Sequence, residues 1–154
     1  RTLGVRLADW RVEILGTDIS EKVLSLAQSA KYTSYAMRST SDLLKQRYFV
    51  ADGSGWTVRP EIRQMVGFEL HNLKDRLAAK RHGTWDVIFC RNVMIYFDDK
   101  MKNDVLTTFA EVLAEDGRLF IGHSESIRGT SAPFNPLPIA QAFCYAKAPR
   151  KKAA

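Results

Sequence analysis

Cysteine and histidine are scarce in this chain, two and three among 154 residues. Cys90 and Cys144 cannot build a disulfide framework, and each lies in an apolar, strand-like run. Both are expected to be reduced and buried, the pattern of a cytoplasmic protein. His71, His82 and His123 show no HxxxH-type spacing, so no metal site is expected. No apolar run approaches the roughly 18 residues needed to cross a bilayer, which argues against membrane insertion. A GxGxxG fingerprint, an internal repeat and a low-complexity tract are also absent, and this weakens a generic dinucleotide-binding reading.

What is there is ordinary for a folded domain: 45% hydrophobic and 26% charged residues, in a length typical of about one domain. The net charge of +6 and pI near 9.5 point weakly to an acidic partner. Part of that charge is a basic end, Lys147 to Lys152. The other basic residues are scattered and not interleaved with exposed aromatics, so nucleic acid is not expected.

Hydropathy patterning predicts strands alternating with helices. Residues 1–10 read as the end of a helix. Val12–Thr17 is a strand with Asp18 at its tip, and Ser20 caps a helix carrying Val23, Leu24, Ala27 and Ala30 at helical spacing. A second helix starts near Ser41. From Val50 to Leu70, WTVR, EIRQMV and GFEL read as short strands separated by Pro60 and Gly67, a small antiparallel insertion feeding a core strand at Val66–Leu70. Lys74–Arg81 is a short helix or loop. WDVIFC at 85–90 is nearly continuous in apolar character, which predicts a strand buried on both faces. Asp98 caps a helix with an apolar stripe of Met101, Val105, Phe109, Val112 and Leu113, and Gly117 is placed just past its end. A strand over 118–122, a Pro-rich loop over 127–138 and a last strand over 142–146 complete an α/β sheet, mostly parallel with an antiparallel terminal strand.

Sheets of this kind bind ligands outside the carboxyl ends of their strands. Asp18, the His71–Asn72–Leu73 segment and Arg91–Asn92 all fall at that edge and are expected to face a common crevice. Each has a plain alternative. Asp18 suits the vicinal hydroxyls of a ribose, which a carboxylate accepts in one plane, or it caps the following helix. Asn72 reads a purine edge or forms a turn. Arg91 is a ligand contact or an exposed cation, Asn92 a ligand contact or a turn former, and Tyr96 a site residue or a core aromatic. His123 beside Ser124 is neither a protease dyad nor a metal fragment, since a nucleophile needs a base and a third group to orient it.

GTDIS at 16–20, QRYF at 46–49, HNL at 71–73, FCRNVMIYFD at 89–98 and GHSES at 122–126 together resemble the chemotaxis receptor methyltransferases. These S-adenosylmethionine-dependent enzymes are protein-glutamate O-methyltransferases, which methylate glutamate side chains of chemoreceptors. The resemblance runs in order along nearly the whole chain. It implies a Rossmann-like methyltransferase domain over 1–154, truncated at its N-terminus, with a small antiparallel β-subdomain at about 50–70. It also implies S-adenosylmethionine as cofactor and S-adenosylhomocysteine as product. Position by position, Asp18 would hold the cofactor ribose, and Asn72, Leu73, Arg91 and Asn92 would line the pocket. Tyr96 would lie next to the transferring methyl, while GHSES takes a structural or substrate-facing role.

The family's glycine-rich cofactor loop and basic helical N-terminal domain are expected upstream of Arg1, so activity is expected to require that upstream half. The implied partner is the cytoplasmic domain of methyl-accepting chemotaxis receptors. Residues 50–60 are short compared with family members that dock on a receptor's tail peptide, which argues against tail tethering. The alternative function is a non-catalytic methyltransferase-like module for protein interaction or nucleoside sensing.

Overall fold

The computed structural model describes residues 9–140 and 142–148. The helix end expected over residues 1–10 lies almost wholly outside them, and so does the basic end beyond Ala148. The described chain forms two compact units, residues up to Asn72 and residues from Leu73 onward.

In the first unit β1 (Ile14–Asp18) runs parallel to β5 (Val66–Leu70), with Asp18 opposite Leu70. Between them comes α1 (Glu21–Ser29), which packs on both strands. Ser20 caps α1 as predicted, its hydroxyl accepting from the Val23 amide at 3.4 Å. Ser41 does the same for α2 (Asp42–Tyr48), accepting from Leu44 N at 3.4 Å. Such caps satisfy amides that the first helical turn leaves without partners.

The antiparallel sheet is present but shifted from its predicted span. It contains β2 (Lys31–Thr33), β3 (Phe49–Asp52) and β4 (Gly55–Val58), with β4 in the centre. The expected strand EIRQMV is instead a short helix, α3 (Pro60–Arg63), with Pro60 at its first turn. A proline there loses no hydrogen bond and presets the helical φ. The core of this unit is thin. In α1 only Leu24 is buried, whereas Val23 and Leu26 are exposed.

The second unit has a substantial core. After α4 (Arg76–Lys80), β6 (Trp85–Cys90) runs parallel to β7 (Leu113–Ile121), and α5 (Asp99–Val112) connects them. β9 (Phe143–Lys147) adds antiparallel to β7, and β8 (Phe134–Leu137) adds antiparallel to β9. β8 occupies part of the stretch expected to be a loop. Asp98 caps α5, its carboxylate accepting from Met101 N at 2.7 Å. The stripe lands as predicted at Val105, Phe109 and Val112, all buried, with Met101 partly so. Leu106, outside the predicted stripe, is fully buried.

Two expectations are corrected here. Gly117 does not follow the end of α5. The helix stops at Leu113, and Gly117 sits in an irregular stretch of β7, where Trp85 faces Leu113 but Val87 already faces Arg118. A Cβ at 117 would lie 2.8 Å from Leu113 Cγ, so only glycine fits this bend. Nor is β6 buried on both faces. Ile88 and Cys90 point into the core of the unit, whereas Val87 and Phe89 are 45% and 69% exposed. Alternation sends them to the opposite face, where Phe89 stacks on Phe120 at 4.9 Å between ring centroids.

Leu106→Ala should therefore lower unfolding stability by about 2–5 kcal/mol in urea titrations, the cost of an unfilled core position. Thr107→Ala, one residue along on the exposed side of α5, should stay within about 0.5 kcal/mol. Equal losses for the two would contradict this orientation of the helix.

Candidate functional site

In the first unit, β1 ends with Asp18 and β5 with Leu70, side by side, so the segments that follow leave the same edge of a parallel pair. The His71 amide donates to the Asp18 carbonyl at 2.9 Å, fastening the two chain ends together. The Asp18 side chain is half-buried, and its Oδ1 accepts from the Ser20 amide at 2.8 Å. Among the described residues its Oδ2 accepts from none. Asp18 thus shares the capping of α1 with Ser20 and still offers an unengaged oxygen. Asn72 is exposed two residues past the end of β5.

In the second unit, β6 and β7 end side by side at Cys90 and Ile121. From Cys90 the chain turns sharply. Asn92 takes a left-handed backbone with φ of 61°, a conformation that asparagine tolerates better than most residues. A single 3-10 turn, Met94–Tyr96, then leads to Asp98. Met94 is 2% exposed and anchors this turn in the core, while Tyr96 is 82% exposed. Tyr96 is therefore not the core aromatic that its apolar neighbours allowed. Arg91 and Asn92 are exposed, Arg91 forms no ion pair among the described residues, and Leu73 packs against the core.

The group that shapes this turn is Glu125, whose role the sequence left unresolved. The residue is 6% exposed. Oε2 accepts from the amides of Gly122 (2.6 Å) and Asn92 (2.8 Å), and Oε1 from Val93 (2.9 Å) and Met94 (2.7 Å). Four backbone donors from two loops thus converge on one side chain. Gly122 is required by the same packing, because a Cβ there would lie 2.7 Å from both Asn92 Oδ1 and Glu125 Oε2. Burial pushes the pKa of Glu125 up, but its four N–H partners outweigh burial and hold it below the usual carboxylate range. A depressed value means that the ion contributes stability above the unfolded pKa of about 4.3 and loses it as pH falls through the folded value. The short GHSES stretch was the only sign of this in the sequence.

His123 and Ser124 are exposed, with Ser124 Oγ 3.0 Å from His123 Nε2. Among the described residues no three His, Cys, Asp or Glu side chains group as a metal site requires. Cys90 lies beneath the turn, its thiol pushed up to about 12 by burial and then by the charge of Glu125. A thiol held protonated is no nucleophile.

The predicted site residues thus fall into two groups, each at the carboxyl end of a parallel strand pair. Asp18 and Asn72 belong to the first unit, and Leu73, Arg91, Asn92 and Tyr96 to the second. Parallel strands joined by helices, with polar loops at their carboxyl ends, define an α/β protein of the Rossmann-like, nucleotide-cofactor-binding class. Residues 3–143 match the family described as CheR methyltransferase, SAM binding domain, and the chain belongs to that family.

Chemotaxis protein methyltransferase 1 of Pseudomonas aeruginosa is 42% identical over 118 residues, covering 75% of this chain and 42% of that protein. The chemotaxis protein methyltransferase of Salmonella typhimurium is 37% identical over 138 residues, covering 86% and 46%. The chain spans less than half the length of these relatives. Among solved structures, magnesium protoporphyrin IX methyltransferase from Synechocystis with bound SAM aligns over 96% of this chain and 65% of its own. Its TM-score is 0.46 and its identity 16%.

The cofactor of this family is S-adenosylmethionine, and the donor set fits it. The unengaged oxygen of Asp18 is an acceptor, and a ribose presents two hydroxyl donors.

The buried, protonated state of Cys90 has a direct chemical consequence. Raising its pKa from 9.0 to about 12 leaves roughly a thousandfold less thiolate at any pH below 9. Iodoacetamide at pH 8 should leave Cys90 unmodified in the native protein and alkylate it in urea, as read by peptide mass spectrometry. Rapid native labelling would contradict the burial described.

Proposed function

We propose that this chain is the cofactor-binding portion of a protein-glutamate O-methyltransferase acting on the cytoplasmic domains of chemoreceptors. The observation that carries this reading is the exposed 91–96 turn at the carboxyl end of β6, in a chain that matches the family over residues 3–143. The family and its relatives are named as methyltransferases, so the non-catalytic alternative has no support of its own. Residues 1–154 then belong to one methyltransferase domain that continues upstream of Arg1 and carries the β2–β4–β3 sheet as a small subdomain, in the cytoplasm where the receptor's methylated segments lie. Tail-peptide tethering forms no part of this reading.

S-adenosylmethionine, when bound, supplies an electrophilic methyl group on a sulfonium. Asp18 accepts hydrogen bonds from the ribose hydroxyls through its open oxygen. Asn72 and Asn92 offer amide donors and acceptors for the base and the chain of the cofactor, Leu73 gives an apolar wall, and Arg91 brings an exposed cation to the loop. The receptor glutamate is already anionic at neutral pH, with a pKa of about 4.3, so this chain needs no general base. Transfer would form a C–O bond from the glutamate to the methyl carbon as the C–S bond breaks, turning carboxylate and sulfonium into a neutral ester and thioether, and water opposes such a step because it stabilises the ions. The loops therefore serve by excluding water and aligning the reactants at about 3–3.5 Å. Tyr96 is too exposed to be a packing residue, and its hydroxyl suits an orienting hydrogen bond beside the reacting group.

The product class is tested by incubating the intact protein with methyl-tritiated cofactor and a chemoreceptor cytoplasmic domain, followed by mild base. A glutamyl ester releases volatile methanol, and label that stays bound after base rules the ester out.

The two side-chain roles separate kinetically. Tyr96→Phe should slow turnover about three- to a hundredfold while cofactor affinity stays within about tenfold. This follows from an orienting bond worth ~0.5–1.5 kcal/mol, or up to ~3 next to a charge. Asp18→Ala should instead raise the cofactor Kd, with a smaller effect on turnover at saturation. Full turnover in Tyr96→Phe contradicts the orienting role.

A further inference from the structure

We propose that Glu125 is a positioning residue: its carboxylate fixes the main chain of Gly122 and Asn92–Met94 in the shape that presents Asn92 and Tyr96 to the bound cofactor. This rests on the reading of residues 91–96 as cofactor-facing. Three features of the site lead to it.

First, the carboxylate is saturated by main-chain donors alone, two on each oxygen. No Lys or Arg pairs with it among the described residues, so the ion is held by N–H dipoles from two loops. An apolar side chain would fill the same buried volume without the cost of desolvating a charge. What only a carboxylate offers is two oxygens, each able to take two donors, and hence command over four amides at once.

Second, three of those amides are consecutive. Asn92, Val93 and Met94 all aim inward, and this forces the chain through the left-handed conformation at Asn92. The side chains of this turn are thereby divided. Met94 is driven into the core, while Asn92 and Tyr96 are left exposed at the carboxyl end of β6. A local backbone strain held by surrounding contacts is a recurrent feature of preorganised sites.

Third, Gly122 lacks the side chain that would disturb the clamp. A Cβ at that position would press on the Asn92 amide oxygen and on Glu125 Oε2 at once. The loops after β6 and β7 are therefore joined by a charged contact and by close packing at one point, directly behind the exposed turn.

The test is calorimetric titration of S-adenosylhomocysteine into the intact protein, at a temperature where circular dichroism shows each variant folded. Glu125→Gln keeps the shape of the side chain but offers one acceptor oxygen, leaving two amides facing its NH2 group. It should weaken binding more than fivefold. Gly122→Ala, which changes no ionisable group, should do the same and decides the matter if Glu125→Gln does not fold. Val112→Ala, a buried position in α5 away from the turn, serves as the control for general destabilisation and should change the Kd by less than twofold. The proposal is overturned if the deciding variant binds within fivefold of wild type, or if Val112→Ala weakens binding as much. Failure of the wild type itself to bind would instead strike the functional reading, and the proposal would fall with it.

Discussion

Four amides pointing at one carboxylate hold together the loops at the carboxyl ends of β6 and β7. Remove the charge of Glu125 and two loops lose their common partner, because no other described group accepts from the amides of Gly122, Asn92 and Val93. The loops leave neighbouring parallel strands, β6 and β7, whose pairing places their ends side by side. Strand pairing therefore brings the loops close, and a buried ion gives them a definite shape. The buried surroundings make that ion demanding: an unpaired carboxylate there would be costly, so the amides and the carboxylate stabilise one another or neither is satisfied.

The two units differ in how firmly they are built. The second has α5 covering one face of a four-stranded sheet, with Leu106, Leu113 and Leu119 fully buried. The first has two short parallel strands and a three-stranded antiparallel sheet, with Ile14, Ile19 and Leu26 exposed. Its order comes from local devices: the Ser20 and Ser41 caps, the Asp18 bond to Ser20, and the bond of His71 to Asp18. Asp18 illustrates how a structural role leaves an acceptor open for the ligand role proposed for it. One oxygen completes the start of α1, and the other remains open.

Much of this was legible in the residue pattern, for identifiable reasons. Caps announce helix starts because the amides they satisfy lie two or three residues on, within reach of a reader of sequence. The α5 stripe was legible because one helix face meets one core. Legibility failed where tertiary context decides. The exposure of Val87 and Phe89 depends on what covers a sheet face, which an apolar run cannot report. EIRQMV alternates well enough for a strand, yet Pro60 favours a helical turn. Gly117 looked like a helix end because a glycine in a strand bend leaves the same mark. The position of Asp18 at a strand tip was visible from pattern alone. The work of Glu125 was not, since three of its four partners lie 31 to 33 residues away and all four are main-chain atoms without side-chain identity.

The chemistry proposed for the chain asks little of its side chains as acids or bases, and the site matches that modest demand. Its buried thiol is held protonated, its histidine–serine pair is exposed, and the buried carboxylate of Glu125 is engaged with the backbone. Geometry is what the loops supply. The central claim, that the Glu125-organised turn meets the cofactor, is tested most directly by nuclear magnetic resonance. In a titration of the isotope-labelled intact protein with S-adenosylhomocysteine, the amides of Asn92, Val93, Met94 and Gly122 should shift markedly, with that of Ser20 beside Asp18. Saturable binding that leaves those five resonances unmoved would contradict it.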